Sequence, residues 1–263
     1  MRLCINKIAR ATTRKLLGDG ISARIYGKRL AWRIRAGQTD LHRDPTLQTA
    51  KDLVSTGDCV IDVGALGGDW SYVLGQRVGR LGLILAIEAD PFFAKVLKAA
   101  FGYLEMPQVQ VIHTALGAVT QTASLAIKKS NGDELLGFSY IETEPRTTTV
   151  SIPMTTLDAL RSTHPRIINT RLVKIDTEGY EPFIIQGGAG LLSRNHPILI
   201  CEVNSEWLKR FGWTPSGLYS LLLAKGYKPA SVNGGPVNLE ELKDRFEHDA
   251  SFSEDVTFLH QDN

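Results

Sequence analysis

Short apolar runs, each ending in an acid or a glycine, recur along the chain from residue 58 onward. The first is Asp58-Cys59-Val60-Ile61-Asp62-Val63-Gly64. Gly82 to Glu88, Val109 to His113, Arg171 to Asp176 and Pro197 to Val203 follow. These runs are apolar at nearly every position, not at alternate ones, which marks strands covered on both faces. Helical spacing fills the gaps: Trp70 to Arg80, Pro91 to Tyr103, Tyr180 to Ser193, and Ser216 to Lys225 closed by Gly226. Pro91 suits a first helical position, where its missing N–H costs nothing. Tyr227 to Val232 and Val256 to His260 complete the strands. The alternation predicts an α/β fold: a Rossmann-like, doubly wound, mostly parallel seven-stranded sheet with an antiparallel last strand. In such sheets a ligand sits at the carboxyl ends of the strands, where strand order reverses.

Two regions break the rhythm. Ala123 to Ile127 and Thr148 to Ile152 are β-rich and are expected to pair as an antiparallel insertion, with a flexible loop over Asn131 to Arg146. Thr156 to Leu160 is expected to open a short helix. Residues 1–55 show helical fragments and one candidate strand, Leu30-Ala31-Trp32-Arg33-Ile34. They read as an N-terminal basic cap ahead of a main domain over 56–263. The length of 263 residues fits one domain with such an appendage.

Charge changes the picture locally. The net charge of +2 is uninformative, but from Arg2 to Arg43 eleven bases face only Asp19 and Asp40. Such an arm suits peripheral contact with a membrane surface or an anionic substrate such as a sugar nucleotide or phosphorylated glycan; the plainer reading is a solvated extension. The arm is expected to close over the acceptor. No apolar run approaches the roughly 20 residues that span a bilayer, and no long apolar core follows the basic start. Three scattered cysteines (Cys4, Cys59 and Cys201) form no CxxC pair, which suits a reducing compartment. A cytoplasmic location is the expectation.

The candidate chemistry begins at Asp62-Val63-Gly64-Ala65-Leu66-Gly67-Gly68-Asp69. This is a strand end, a glycine turn and a helix start. Gly64 and Gly67 let backbone pass close to a ligand, and the helix start offers free N–H groups. Glu88 ends the next strand, and its carboxylate suits a ribose with both hydroxyls free. The third glycine of the dinucleotide pattern is missing, which favours a single nucleoside.

These segments, with Thr156-Leu157-Asp158, the string Lys174-Ile175-Asp176-Thr177-Glu178-Gly179-Tyr180-Glu181 and Pro197 to Glu202, resemble the FkbM family of methyltransferases. The resemblance covers roughly residues 55 to 260. It implies class I S-adenosylmethionine-dependent methyl transfer, mostly to hydroxyl oxygens of sugars, polyketides and related metabolites. It places Asp62, Gly64, Ala65 and Gly67 along the methionine and ribose side of the cofactor, and Glu88 on the ribose hydroxyls. It sets Ala89 beside the adenine, Ala115 and Leu116 on its other side, and Asp176 facing the methyl donor. Leu66 departs from the polar residue frequent in the family.

Methyl transfer to an alcohol also needs a base. Asp176, Glu178 and Glu202 are the candidates, with His113 behind them. Glu178 has a second reading as a cap for the following helix, and Glu181 is expected to be solvated or paired. Asp176, Glu202 and Asn204 form a candidate oxygen-only set for Mg²⁺. The six histidines show no metal-ligand spacing on one helix, so no metal site is assigned to them. Trp207, Phe211 and Trp213 form an aromatic cluster suited to core packing or to covering the cleft. A nucleotide-dependent oxidoreductase and a degenerate scaffold binding a glycan or membrane are the alternatives. The absence of an Asn/Asp-Pro-Pro-Tyr string argues against a nucleic-acid acceptor.

Overall fold

The computed structural model describes residues 7–38, 44–128, 135, 139–143, 148–230, 242, 245 and 252–262. Two helices lead, α1 (Lys7–Arg35) and α2 (Pro45–Asp52). Then come β1 (Cys59–Val63), α3 (Asp69–Val78), β2 (Leu83–Glu88), α4 (Pro91–Tyr103), β3 (Val109–His113) and β4 (Ala115–Leu116). The middle holds β5 (Gln121–Lys128), β6 (Tyr140–Ile141), β7 (Thr148–Thr155), α5 (Leu160–Thr163) and β8 (Thr170–Ile175). The last third holds α6 (Glu181–Gly187), α7 (Ala189–Asn195), β9 (Ile198–Asn204), α8 (Ser205–Lys209), α9 (Pro215–Leu223), β10 (Tyr227–Ala230) and β11 (Ser253–His260).

The main sheet has seven strands in the order β10-β11-β9-β8-β1-β2-β3. Only β11 runs antiparallel to its neighbours. Strand order reverses between β1 and β8, so the crevice expected of a doubly wound sheet opens at their carboxyl ends. Alternate residues explain the unbroken apolar runs. Ile61 and Val63 join the core under α6, α7 and α9, while Val60 joins the core under α1, α3 and α4. The insertion forms a second, four-stranded sheet, β4-β7-β5-β6, with Ala123 opposite Ile152 as expected. Most of the expected loop over 131–146 lies outside the described residues, as do Cys4 and most of 233–251.

Two local expectations are corrected. Leu30 to Ile34 is helix, not strand. A short, mostly apolar run of five residues looks like a strand, but Ala23, Tyr26, Leu30 and Ile34 repeat at helical spacing and are buried together. This half of α1 packs along α4: the rings of Tyr26 and Phe92 meet edge-to-face, and Gly27 sits so close that a Cβ would lie 2.6 Å from that of Ala99. The expected helix Tyr180 to Ser193 is two helices, broken at Gly188. The reason is a tertiary cap: Asp158 accepts the N–H groups of Gly190 and Leu191 at 2.8 and 2.6 Å. That bond starts a new helix where the sequence reads as continuous.

Candidate active site

Gly64 closes β1 with φ 80, in the left-handed region. A Cβ there would lie 1.9 Å from the carbonyl oxygen of Asp176, so only glycine allows the ends of β1 and β8 to touch. The Gly64 and Ala65 N–H groups both donate to the Ile87 carbonyl, which folds the loop over β2. The N–H of Leu66 then donates to Glu88 Oε2 at 2.8 Å, and that of Asp90 donates to Oε1 at 2.7 Å. Each oxygen of Glu88 keeps a second lone pair for a ligand hydroxyl. Burial pushes the Glu88 carboxyl up to about 7, against the pull of these two N–H groups. Gly67 and Gly68 carry the loop into α3. The residues fit a nucleoside: a carboxylate beside a loop with little side-chain bulk, at the reversal point of the sheet.

Below the loop lies a lysine that composition gave no reason to single out. Lys174 is opposite Asp62 across the β1–β8 pair, and both are buried. Its Nζ donates to Asp176 Oδ2 at 3.0 Å and to the Gly64 carbonyl at 3.3 Å, and lies 3.9 Å from Asp62 Oδ1. Burial alone would neutralise Lys174, but Asp176, Asp62 and Asp255 together outweigh it and hold the ammonium charged. Asp62 also accepts from Ser71 Oγ at 2.6 Å, while its Oδ1 has no hydrogen-bond partner among the described residues. The carboxylate at the end of β1 therefore ties α3 and β8 together beneath the crevice.

Four acids besides Asp62 gather in this region, where Arg210 also acts on Glu178. Asp176, half-exposed, and Glu178 follow β8; Glu202 lies on β9 with Asp255 opposite it on β11. Burial, then repulsion from Asp176 and Glu181, pushes Glu178 up to about 8. Burial and the charges of Asp176, Glu181, Glu178 and Asp255 push Glu202 up to about 9, and Glu202 Oε2 has no hydrogen-bond partner among the described residues. Glu178 also has φ 57, a strained setting for a residue with a side chain. Such strain persists where surrounding structure fixes it, and functional sites are where it clusters.

That fixing comes from Glu181, for which solvation or pairing was expected and which is 1% exposed with its Oε1 hydrogen-bonded. Its Oε1 accepts from Thr177 N at 2.8 Å, Thr177 Oγ1 at 2.9 Å and Gly179 N at 3.3 Å. Glu181, not Glu178, holds this turn. Gly179 (φ 96) packs so tightly on α8 that a Cβ would lie 2.4 Å from the Trp207 carbonyl oxygen.

The remaining candidates divide. Ala89, Ala115 and Tyr180 share one small cluster where the second sheet meets the end of β2, with Leu116 beside it on β4. His113 lies near it, its Nε2 3.2 Å from the Ala89 carbonyl. Asn204 does not join Asp176 and Glu202 as a metal ligand: its Oδ1 caps α8, accepting from Glu206 N and Trp207 N. Asp176 gives one oxygen, Oδ2, to Lys174, so of the expected Mg²⁺ set Asp176 and Glu202 remain. The aromatic cluster splits in two. Phe211 and Trp213 pack with Tyr180 and Phe183, while Trp207 lies against Tyr140 and Arg210. His196 and His260 stack at 3.6 Å beside Asp262, but at the opposite ends of these strands, just before β9 and at the last residue of β11.

Lys174, Asp255 and Ser71 escaped the sequence reading. A lysine inside the buried run of β8 was a legible signal. Asp255 had none, because only the antiparallel β9–β11 register brings it to Glu202.

The family model described as Methyltransferase FkbM domain matches residues 62–229. No curated protein matches the chain. Among solved structures, methyltransferase FkbM from Methylobacillus flagellatus is 14% identical with a TM-score of 0.47; the likeness covers 79% of this chain and 44% of that one. A SAM-dependent methyltransferase from Aquifex aeolicus is 13% identical (TM-score 0.39, covering 71% and 81%). Aeropyrum pernix fibrillarin, solved with natively bound S-adenosyl-L-methionine, is 13% identical (TM-score 0.38, covering 78% and 67%). The chain thus spans less than half the length of the Methylobacillus protein. Since the family match runs from the Asp62 loop through the Glu88, Asp176 and Glu202 strand ends, the chain belongs to the FkbM methyltransferase domain family.

Proposed function

We propose that this protein transfers a methyl group from S-adenosylmethionine to a hydroxyl oxygen of a sugar, glycan or secondary metabolite. The observation that carries this reading is the convergence of Asp176, Glu178 and Glu202 on the crevice beside the Gly64 loop. When bound, the cofactor supplies a methyl group already activated on a sulfonium. Glu88 would hold its ribose hydroxyls, and Ala89, Ala115 and Leu116 would wall its adenine. The half-exposed Asp176 would complement the positive sulfonium.

An alcohol must lose its proton as the new C–O bond forms. Glu178 is the base: it is only partly buried, and its value of about 8 lies near working pH. Glu178 would take the acceptor's hydroxyl proton, and Lys174 would hold Asp176 through its Nζ–Oδ2 hydrogen bond. Of the three candidate oxygen donors for Mg²⁺, Asn204 is committed to capping α8, which favours a metal-free reaction. The test is transfer of isotope-labelled methyl to a panel of hydroxyl acceptors, with and without exhaustive chelation. Labelled ethers formed equally in both support the reading. Label on nitrogen alone removes the oxygen assignment, and a rate abolished by chelation removes the metal-free one.

A further inference from the structure

Helix α1 has two apolar faces. One packs on α4 through Ala23, Tyr26, Leu30 and Ile34. The other faces water: Ile21, Ile25 and Trp32 are 55%, 46% and 59% exposed. At 3.6 residues per turn these three lie within roughly 40° of one another around the helix. Leu16 and Leu17 are also exposed, just before the kink at Gly18. Five of the ten exposed large hydrophobics among the described residues are therefore on this one helix. Single exposed apolar residues are ordinary, but an aligned row marks a contact surface.

Cations border the row on both sides. Arg24 and Lys28 lie along one margin and Arg29 along the other, all exposed. Residues 20–38 contain no Asp or Glu. We propose that this outer face of α1 is a docking surface for an anionic phospholipid bilayer. Ile21, Ile25 and Trp32 enter the boundary between headgroups and acyl chains, and the bordering bases reach up to lipid phosphates while their stems stay apolar. Each such base strengthens binding about fivefold. The contact is peripheral, since no helix among the described residues is long and apolar enough to cross a membrane.

Charge decides against the other occupants. A second copy meeting this face about a two-fold axis would set the bases of one helix against those of the other, with no acid over residues 20–38 to pair them. A nucleic acid would satisfy the bases but leave Ile21 and Ile25 in water. Only an anionic surface with an apolar interior satisfies both.

The test is co-sedimentation of the full chain with phosphatidylcholine–phosphatidylglycerol vesicles, against pure phosphatidylcholine. Selective binding to the anionic vesicles is expected. Arg24→Glu/Lys28→Glu/Arg29→Glu should weaken it by on the order of 100-fold. Ile21→Ser/Ile25→Ser/Trp32→Ser should abolish it, and the single Trp32→Ser carries the test if the triple variant melts early. The emission of Trp32, isolated by subtracting the Trp32→Phe spectrum, should shift to the blue on vesicle addition. Equal binding to both vesicle types, indifference to these substitutions, Trp32-dependent self-association, or tighter binding to an oligonucleotide than to vesicles would each overturn the proposal.

Discussion

Glu88 shows how one side chain serves two purposes. Its two oxygens accept the N–H groups of Leu66 and Asp90, so it shapes the loop, and under the proposed function their remaining lone pairs would accept from ribose hydroxyls. Ribose hydroxyls donate only to the ionised carboxylate with full strength. Because burial raises Glu88 to about 7, S-adenosylmethionine affinity should rise as pH increases through that value. Glu88→Gln should weaken binding by roughly 10- to 100-fold, the loss of one charged hydrogen bond, and remove the pH dependence. Calorimetric titration at several pH values reads both; unchanged affinity would place the ribose elsewhere. Glu178 makes a second residue-scale prediction. With its carboxyl near 8, kcat/KM should climb as pH rises through that value, because the base works ionised. Glu178→Gln should lower the rate by about 10²- to 10⁴-fold and abolish that limb. A variant that keeps the limb would show that another group titrates there.

The turn from Thr177 to Gly179 is the element on which the acid cluster depends. Glu181 gathers three donors from it, and Gly179 presses it onto α8. Glu181→Ala orphans two backbone N–H groups, each costing about 1–3 kcal/mol when left unsatisfied. We expect the variant to lose a few kcal/mol in chemical denaturation and most of its activity, since Glu178 loses its fixed setting. A change under about 0.5 kcal/mol, the level of an ordinary surface substitution, would mean that β8 and α6 hold the turn without it.

Across the whole molecule the buried acids dominate the pH response. Glu88, Glu181, Glu178 and Glu202 have folded-state values of about 7, 7, 8 and 9, against 4.5 for an ordinary glutamate. A carboxyl raised on folding favours the folded state when protonated. Its contribution is complete below the unfolded value and is lost as pH rises through the folded one. The melting temperature should therefore fall from about pH 5 to about pH 9, and Glu202→Gln should flatten the upper part of that fall. A melting temperature that climbs over this interval would mean that solvent reaches the cluster and lets the acids ionise in the folded state.

The sequence by itself determined the sheet and the ligand edge. Apolar runs long enough for strands, spaced by helical segments, leave little freedom in a doubly wound fold. The acids and glycines at their ends locate the crevice, because they fall where burial stops. Gly64, Glu88 and Asp176 were legible for that reason. Tertiary structure alone decided the rest. The continuous reading across Gly188 failed because Asp158, about thirty residues away, caps α7. The strand at Leu30 to Ile34 failed because α4 supplies a helical groove that no local window contains. Asp255 joined the site through strand register, which sets neighbours across the sheet and leaves no mark along the chain. Local sequence fixes which side chains can be buried, while the partners that make a buried charge tolerable come from distant strands.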